Sequence, residues 1–221
     1  MSVLVLSMAG AGLVAGATLP RALRRASCDV HPTRSRELVV ALGSAVLFAT
    51  VTARFGASVE LPPYLYLATV GVTLTLIDFD LRRLPDSVIL PSYIVTVVLL
   101  MPAGAASGDL YAAARALAGM VALIGLYFAL ALAYPNGLGL GDVKLAGLVG
   151  LYVAWLSWDA LFVTAAGGLL IACAVGTTGL ATHAAPRNAA VRVAPCLVSA
   201  ALLAMFVTAP IGSWYSSLLP A

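Results

Sequence analysis

Apolar residues along this chain fall in long unbroken blocks, and most blocks are long enough to cross about 30 Å of hydrocarbon as a helix. The blocks predict helices near 3–20, 37–55, 62–79, 88–105, 110–134, 143–157, 160–182 and 194–216. Polar residues are confined to short intervals between them. Lipid leaves no solvent for backbone N–H and C=O groups, so blocks without strand-like alternation must satisfy those groups internally, as helices. The pattern therefore predicts an all-α fold, a polytopic integral membrane helix bundle of about eight transmembrane helices forming one domain over residues 1–221. The sixth block is short, follows a glycine-rich stretch and contains Gly147 and Gly150. It reads as a half-embedded or tightly packed helix more readily than as a full span.

Composition narrows the class. Of 221 residues 62% are hydrophobic and 10% charged, which excludes an ordinary soluble domain. The net charge of +3 is too small to signal a nucleic-acid partner; the expected surroundings are the lipid bilayer. The cysteines are Cys28, Cys173 and Cys196, an odd number with two inside apolar blocks, so no disulfide framework is expected. Cys28 and His31 could supply half of a zinc site, but no second pair completes it, and no metal is expected. The first block carries Ala15-Gly16-Ala17, which imitates a signal-peptide cleavage site. Its positive charges, Arg21, Arg24 and Arg25, follow the block instead of preceding it, so it reads as a retained transmembrane helix.

The basic residues then orient the bundle. Arg21, Arg24, Arg25, Arg34 and Arg36 lie between the first two blocks, Arg82 and Arg83 between the third and fourth, Lys144 after the fifth, and Arg187 and Arg192 before the eighth. These ten of the twelve Lys and Arg fall on one side, the cytoplasmic side by the positive-inside rule, with both termini outside. Arg54 and Arg115 are the exceptions.

Two acidic clusters lie at block edges on that same side, because two helices separate them. An ionisable residue at a membrane edge reads first as functional. One cluster is Gly139-Leu140-Gly141-Asp142-Val143-Lys144-Leu145, the other Ile77-Asp78-Phe79-Asp80-Leu81-Arg82-Arg83-Leu84-Pro85-Asp86. Two carboxylates brought together share a proton, so that one can activate water while the other polarises a carbonyl. Asp78 lies deeper in its block than Asp80, which points to another helix face, so Asp78 is the expected partner of Asp142. Gly137, Gly139 and Gly141 are expected to permit positive φ and close approach of an extended substrate. Plainer roles exist for each residue: Asp142 as a helix cap, Lys144 as a snorkelling anchor, Asp78 with Arg82 as an i,i+4 pair, and Pro85-Asp86 as a turn and cap. A different class, a small transporter or proton-relay protein, would use acids near the midplane and show repeat symmetry, and neither is evident. A catalytically idle scaffold would lack one of the two acids, and neither aspartate is missing. Phosphate-loop, H-E-x-x-H and G-x-S-x-G signatures are missing, and His31 and His183 support no Ser-His-Asp arrangement.

The segments IDFDLRRLPDSVILP and NGLGLGDVKLAGLVGLY together resemble the two motifs of the prepilin peptidases, or type IV leader peptidases, membrane aspartic peptidases of the GxGD kind. The likeness is strong from Tyr64 to Leu151. It is weaker around GLVAGATLPRAL, RELVVALGSAVLF and VRVAPCLVSAALLA, the last lacking the usual Phe-Gly before its proline. The resemblance implies Asp78 and Asp142 as catalytic residues; Gly139, Gly141, Lys144, Asp80 and Asp86 are expected to bind substrate or support them. It also implies shortened N-terminal helices and a cytoplasmic loop over 1–60, and a peptidase core over 61–221. The expected substrate is a prepilin or pseudopilin-like protein of type IV pilus or secretion systems. Its basic leader would be cut after a glycine at the cytoplasmic face of the inner (plasma) membrane, without a cofactor. Longer bacterial members carry two C-x-x-C pairs between their first two helices and methylate the new N-terminus. Here that interval is about Arg21–Arg36 with one cysteine, so a peptidase without methyltransferase activity is expected.

Overall fold

The computed structural model describes residues 2–25, 34–81, 84–134, 138–181 and 192–218, and all the secondary structure among them is α-helical. The elements are α1 (Ser2–Arg25), α2 (Arg34–Phe55), α3 (Leu61–Leu81), α4 (Asp86–Ser107), α5 (Leu110–Ala133), α6 (Leu140–Leu156), α7 (Trp158–Ala181) and α8 (Val193–Leu218). Each apolar block became one helix. Among the described residues, five segments are long and apolar enough to cross a membrane: Ser35–Phe55, Leu61–Leu81, Asp86–Ala106, Tyr111–Ala133 and Trp158–Thr178. Large apolar side chains such as Leu42, Ile94, Val121, Phe162 and Leu170 are exposed, the pattern of a helical membrane bundle whose outside meets lipid.

The chain divides into two compact units, Met1–Gly108 and Asp109–Ala221. In the first, α1 lies directly on α2. A Cβ at Gly12 would stand 2.7 Å from the Ser44 carbonyl oxygen, and one at Gly16 2.7 Å from the Ala41 Cα, so these glycines, one turn apart, let the backbones touch. Gly56 closes α2 with φ +60°, its N–H donating to the Thr52 carbonyl at 2.8 Å, a left-handed stop that glycine adopts without strain. The chain then turns into α3, and Phe55 stacks on Tyr64 at 4.3 Å. In α4, Pro91 and Pro102 lie within the helix. Ser92 beside Pro91 donates to the Val88 carbonyl at 2.7 Å and accepts from the Tyr66 hydroxyl at 3.1 Å, tying α4 to α3.

In the second unit α6 packs against α5, α7 and α8. Val143 and every residue from Leu145 to Trp155 are buried, which selects the tightly packed reading of this helix. Its 17 residues span about 25 Å, short of the hydrocarbon thickness. Gly119 of α5 and Gly150 of α6 form the crossing: a Cβ at Gly150 would lie 2.6 Å from the Gly119 carbonyl oxygen, and one at Gly119 would overlap the Ala154 Cβ.

The far end of α6 explains one exception to the charge pattern. Arg115, on α5, donates from Nε to the Ala154 carbonyl at 2.6 Å and from Nη2 to the carbonyls of Trp155 and Leu156. These are carbonyls a helix C-terminus leaves without partners, and a cation there also opposes the helix dipole. The same guanidinium lies 5.5 Å from the Tyr111 ring centre, and Trp158 Nε1–H donates to the Tyr111 hydroxyl at 3.2 Å. Arg115→Ala is expected to cost about 2–4 kcal/mol, because charge-assisted bonds to several carbonyls go at once. Thermal unfolding in detergent reads it, and a loss below about 0.5 kcal/mol would show that water serves those carbonyls equally well.

Candidate active site

The C-terminal end of α3 carries the first acidic cluster. Residues two apart on a helix point to different faces, and the side chains divide accordingly. Asp78 is buried beside the fully buried Ile77, at 7% exposure, whereas Phe79 and Leu81 are exposed. Asp80 turns to α2, where its Oδ1 accepts from Arg36 Nη1 at 2.7 Å. Asp80 thus has a cation of its own, and Asp78 is the carboxylate held inside the first unit. Arg36 is a residue that spacing could not suggest, since it lies one helix earlier and read only as a topology charge. Asp86 opens α4 as an exposed first-turn residue after Pro85, whose carbonyl accepts from the N–H groups of Val88 and Ile89. An acid there suits the helix dipole, in line with its plainer role.

The second cluster lies in the second unit, at the start of α6. The helix begins at Leu140, three residues before the expected 143, so Asp142 sits in its first turn. Gly139 precedes it as the N-cap in extended conformation, φ −90° and ψ 157°. Asp142 Oδ2 accepts from the Gly139 N–H at 3.1 Å, and the Asp142 N–H donates to the Gly139 carbonyl at 3.0 Å. The side chain thereby satisfies a backbone donor at the helix start, the acidic half of a capping box.

This geometry corrects the expected use of the glycines. Among the described residues positive φ occurs at Gly56 and Gly108, while Gly139 is extended and Gly141 helical. Gly137 lies outside the described residues. A Cβ on Gly139 would meet Asp142 Oδ2 at 3.7 Å and the Gly141 nitrogen at 3.9 Å, both ordinary contacts. Backbone strain therefore does not require glycine at 139. Chain neighbours aside, among the described residues only Asp142 and Gly141 come within 4 Å of where its Cβ would stand, so the missing side chain leaves room beside the Asp142 carboxylate. Gly141, Asp142 and Lys144 are each partly exposed, whereas Val143 between them is buried.

Cys28, His31, Arg82, Arg83, Asn136, His183 and Arg187 lie outside the described residues, and with them the expected Asp78–Arg82 pair and the Cys28–His31 pair. One group inside the second unit leaves no signal in the sequence because it sits within an apolar block: Tyr127 of α5 is fully buried.

The arrangement offers one carboxylate per unit at a helix end, Asp78 closing α3 and Asp142 opening α6. Carboxylates at such positions can carry general acid and base chemistry. Residues 65–182, which include both, match the model of the type IV leader peptidase family. The prepilin leader peptidase/N-methyltransferase of Aeromonas salmonicida (strain A449) is 32% identical over 183 residues, 82% of this chain and 60% of that protein. The protein of the same name from Pseudomonas putida is 34% identical over 128 residues, 57% of this chain and 43% of its own. The one from Aeromonas hydrophila is 31% identical over 181 residues, 81% and 59% respectively. The chain thus spans 60% or less of the length of these curated relatives. No solved structure matches it.

Proposed function

The chain belongs to the type IV leader peptidase family, and from that premise we propose that it is a membrane aspartic endopeptidase that removes the basic leader of a prepilin or pseudopilin-like protein. The observation that carries this reading is Asp142 in the first turn of α6 behind an open Gly139, with a buried Asp78 within the same family match. The peptidase core on this reading is 61–221, with Asp78 in one unit and Asp142 in the other. Even helix parity between them and the arginine pattern support a shared cytoplasmic side, and so a site at the cytoplasmic face of the inner membrane.

One aspartate, ionised, takes a proton from water as the oxygen attacks the scissile carbonyl; the other, protonated, donates to that carbonyl oxygen. The tetrahedral intermediate collapses as the leaving nitrogen receives a proton and the C–N bond breaks, returning the pair to its shared-proton state. Gly139 and Gly141 leave room for the extended segment around the cut, after a glycine that precedes the substrate's apolar helix. Lys144 and Asp86 border the site as supporting charges. The curated relatives' names also include N-methyltransferase. The interval Arg21–Arg36 holds one cysteine in place of two C-x-x-C pairs, which supports proteolysis without methylation.

Co-expression with a short protein bearing a basic leader, a glycine and a long apolar run is expected to convert it to a faster-migrating form, unmethylated at its new N-terminus. Single cysteines at Ser87 and Asn136, in a background lacking Cys28, Cys173 and Cys196, should label with an impermeant reagent only after permeabilisation, and one at Ser107 in intact cells. Opposite sidedness of Ser87 and Asn136 would separate the two acids and end the proposal.

A further inference from the structure

Buried hydroxyls in this bundle mostly find a carbonyl on their own helix. Thr52, Thr73 and Thr96 donate one turn back to the carbonyls of Phe48, Thr69 and Ser92. Tyr127 cannot do this, since its ring carries the hydroxyl well away from its own backbone. That hydroxyl is buried and has no hydrogen-bond partner among the described residues. Thr164, the other such hydroxyl on the facing helices, needs only a χ1 rotation to reach its own helix. An unsatisfied buried hydroxyl is costly, and in a native structure it calls for a reason.

The surroundings show that the position is built. The Tyr127 hydroxyl lies against Gly168 of α7, where a Cβ would stand 3.0 Å from it and 3.2 Å from Leu197 Cδ1 of α8, so glycine at 168 is what makes room for the oxygen. The helix register brings Asp142 to its level. α5 and α6 run antiparallel through the Gly119–Gly150 crossing, with Arg115 against Ala154, so Tyr127, eight residues past Gly119, stands level with Asp142, eight before Gly150. Cys196 of α8 is its other titratable neighbour. Cys196 already directs its thiol to the Arg192 carbonyl at 3.2 Å, and a thiol is a poor acceptor. A carboxylate is the strong acceptor of the two.

We propose that Tyr127 is a positioning residue of the active site: its O–H, unpartnered at rest, donates to the Asp142 carboxylate during turnover and holds it toward the attacking water. This rests on the proposed role of Asp142. The bare hydroxyl is then stability given up in the resting protein for a donor used in the transition state.

Tyr127→Phe keeps the ring and removes only the oxygen. With the purified protein and the cleaved prepilin from the co-expression experiment, kcat is expected to fall about 10–100-fold with KM within about threefold, because a donor used only in the transition state is lost. Thermal stability should be equal or higher. Unchanged kcat, with Asp142→Asn inactive, overturns the role of Tyr127 and leaves the peptidase reading standing. If instead both Asp78→Asn and Asp142→Asn cleave normally, the peptidase reading falls. A readout free of catalysis then judges the contact: the melting-temperature shift of Tyr127→Phe, measured with Asp142 and with Asn at 142. Different shifts in the two backgrounds support it, and equal shifts overturn it.

Discussion

Asp78→Asn and Asp142→Asn each reduce leader cleavage by at least about 10³-fold while leaving the protein inserted and folded, the expected result if two carboxylates divide one proton. At position 142 the structure makes this test clean. The contact that Asp142 makes as a cap is acceptance from the Gly139 N–H, and an amide oxygen accepts that bond as well. The start of α6 should survive, and only the charge and the capacity to move a proton are lost. Asp80→Asn is the matched control on the same helix. It breaks the ion pair with Arg36, whose side chain is 53% exposed against 16% for Asp80; water reaches the guanidinium, so the loss is expected near the upper end of the roughly 0–1 kcal/mol that exposed pairs contribute. Activity within several-fold of wild type is expected. A time course of the mobility shift reads all three variants, and an inactive Asp80→Asn beside an active Asp78→Asn would exchange their roles.

The helices were legible because lipid imposes one solution on an apolar block, so eight blocks yielded eight helices among the described residues. The start of α6 was less so. Gly139-Leu140-Gly141 reads as a helix breaker, yet glycine is tolerated at an N-cap, and an acid three residues later was the available signal for a start at Leu140. Depth within the apolar block correctly singled out Asp78 as more buried than Asp80. The cation beside Asp80 was illegible, because Arg36 sits on another helix and only packing brings it near. Arg115 looked anomalous for the same reason, since its partners are carbonyls of a helix distant in sequence. The division at Gly108–Asp109 falls on a two-residue polar link, no more marked in the sequence than Ser157 between α6 and α7. Nothing in the spacing of an apolar block tells a buried tyrosine from a lipid-facing one.

The second large effect concerns how α6 is held. Gly150→Leu should destabilise the protein by about 3–5 kcal/mol, beyond ordinary overpacking, because nothing at the contact can turn aside. The first added carbon would stand 2.6 Å from the Gly119 carbonyl oxygen and 3.0 Å from the Gly119 carbonyl carbon and the Met120 Cα, all backbone of α5. Relief requires α5 and α6 to separate, and separation also pulls Arg115 from the carbonyls at the end of α6. Because α6 carries Asp142 in its first turn, cleavage should fall along with stability, unlike in Asp142→Asn, where activity is lost and stability kept. Gly125→Ala supplies the control within α5: a Cβ there meets nothing within 4 Å, and exchanging a helical glycine for alanine gains about 0.5–1 kcal/mol. Detergent melting curves of the two variants should therefore move in opposite directions. A Gly150→Leu protein that melts with wild type would mean that α5 and α6 do not cross at Gly119 and Gly150.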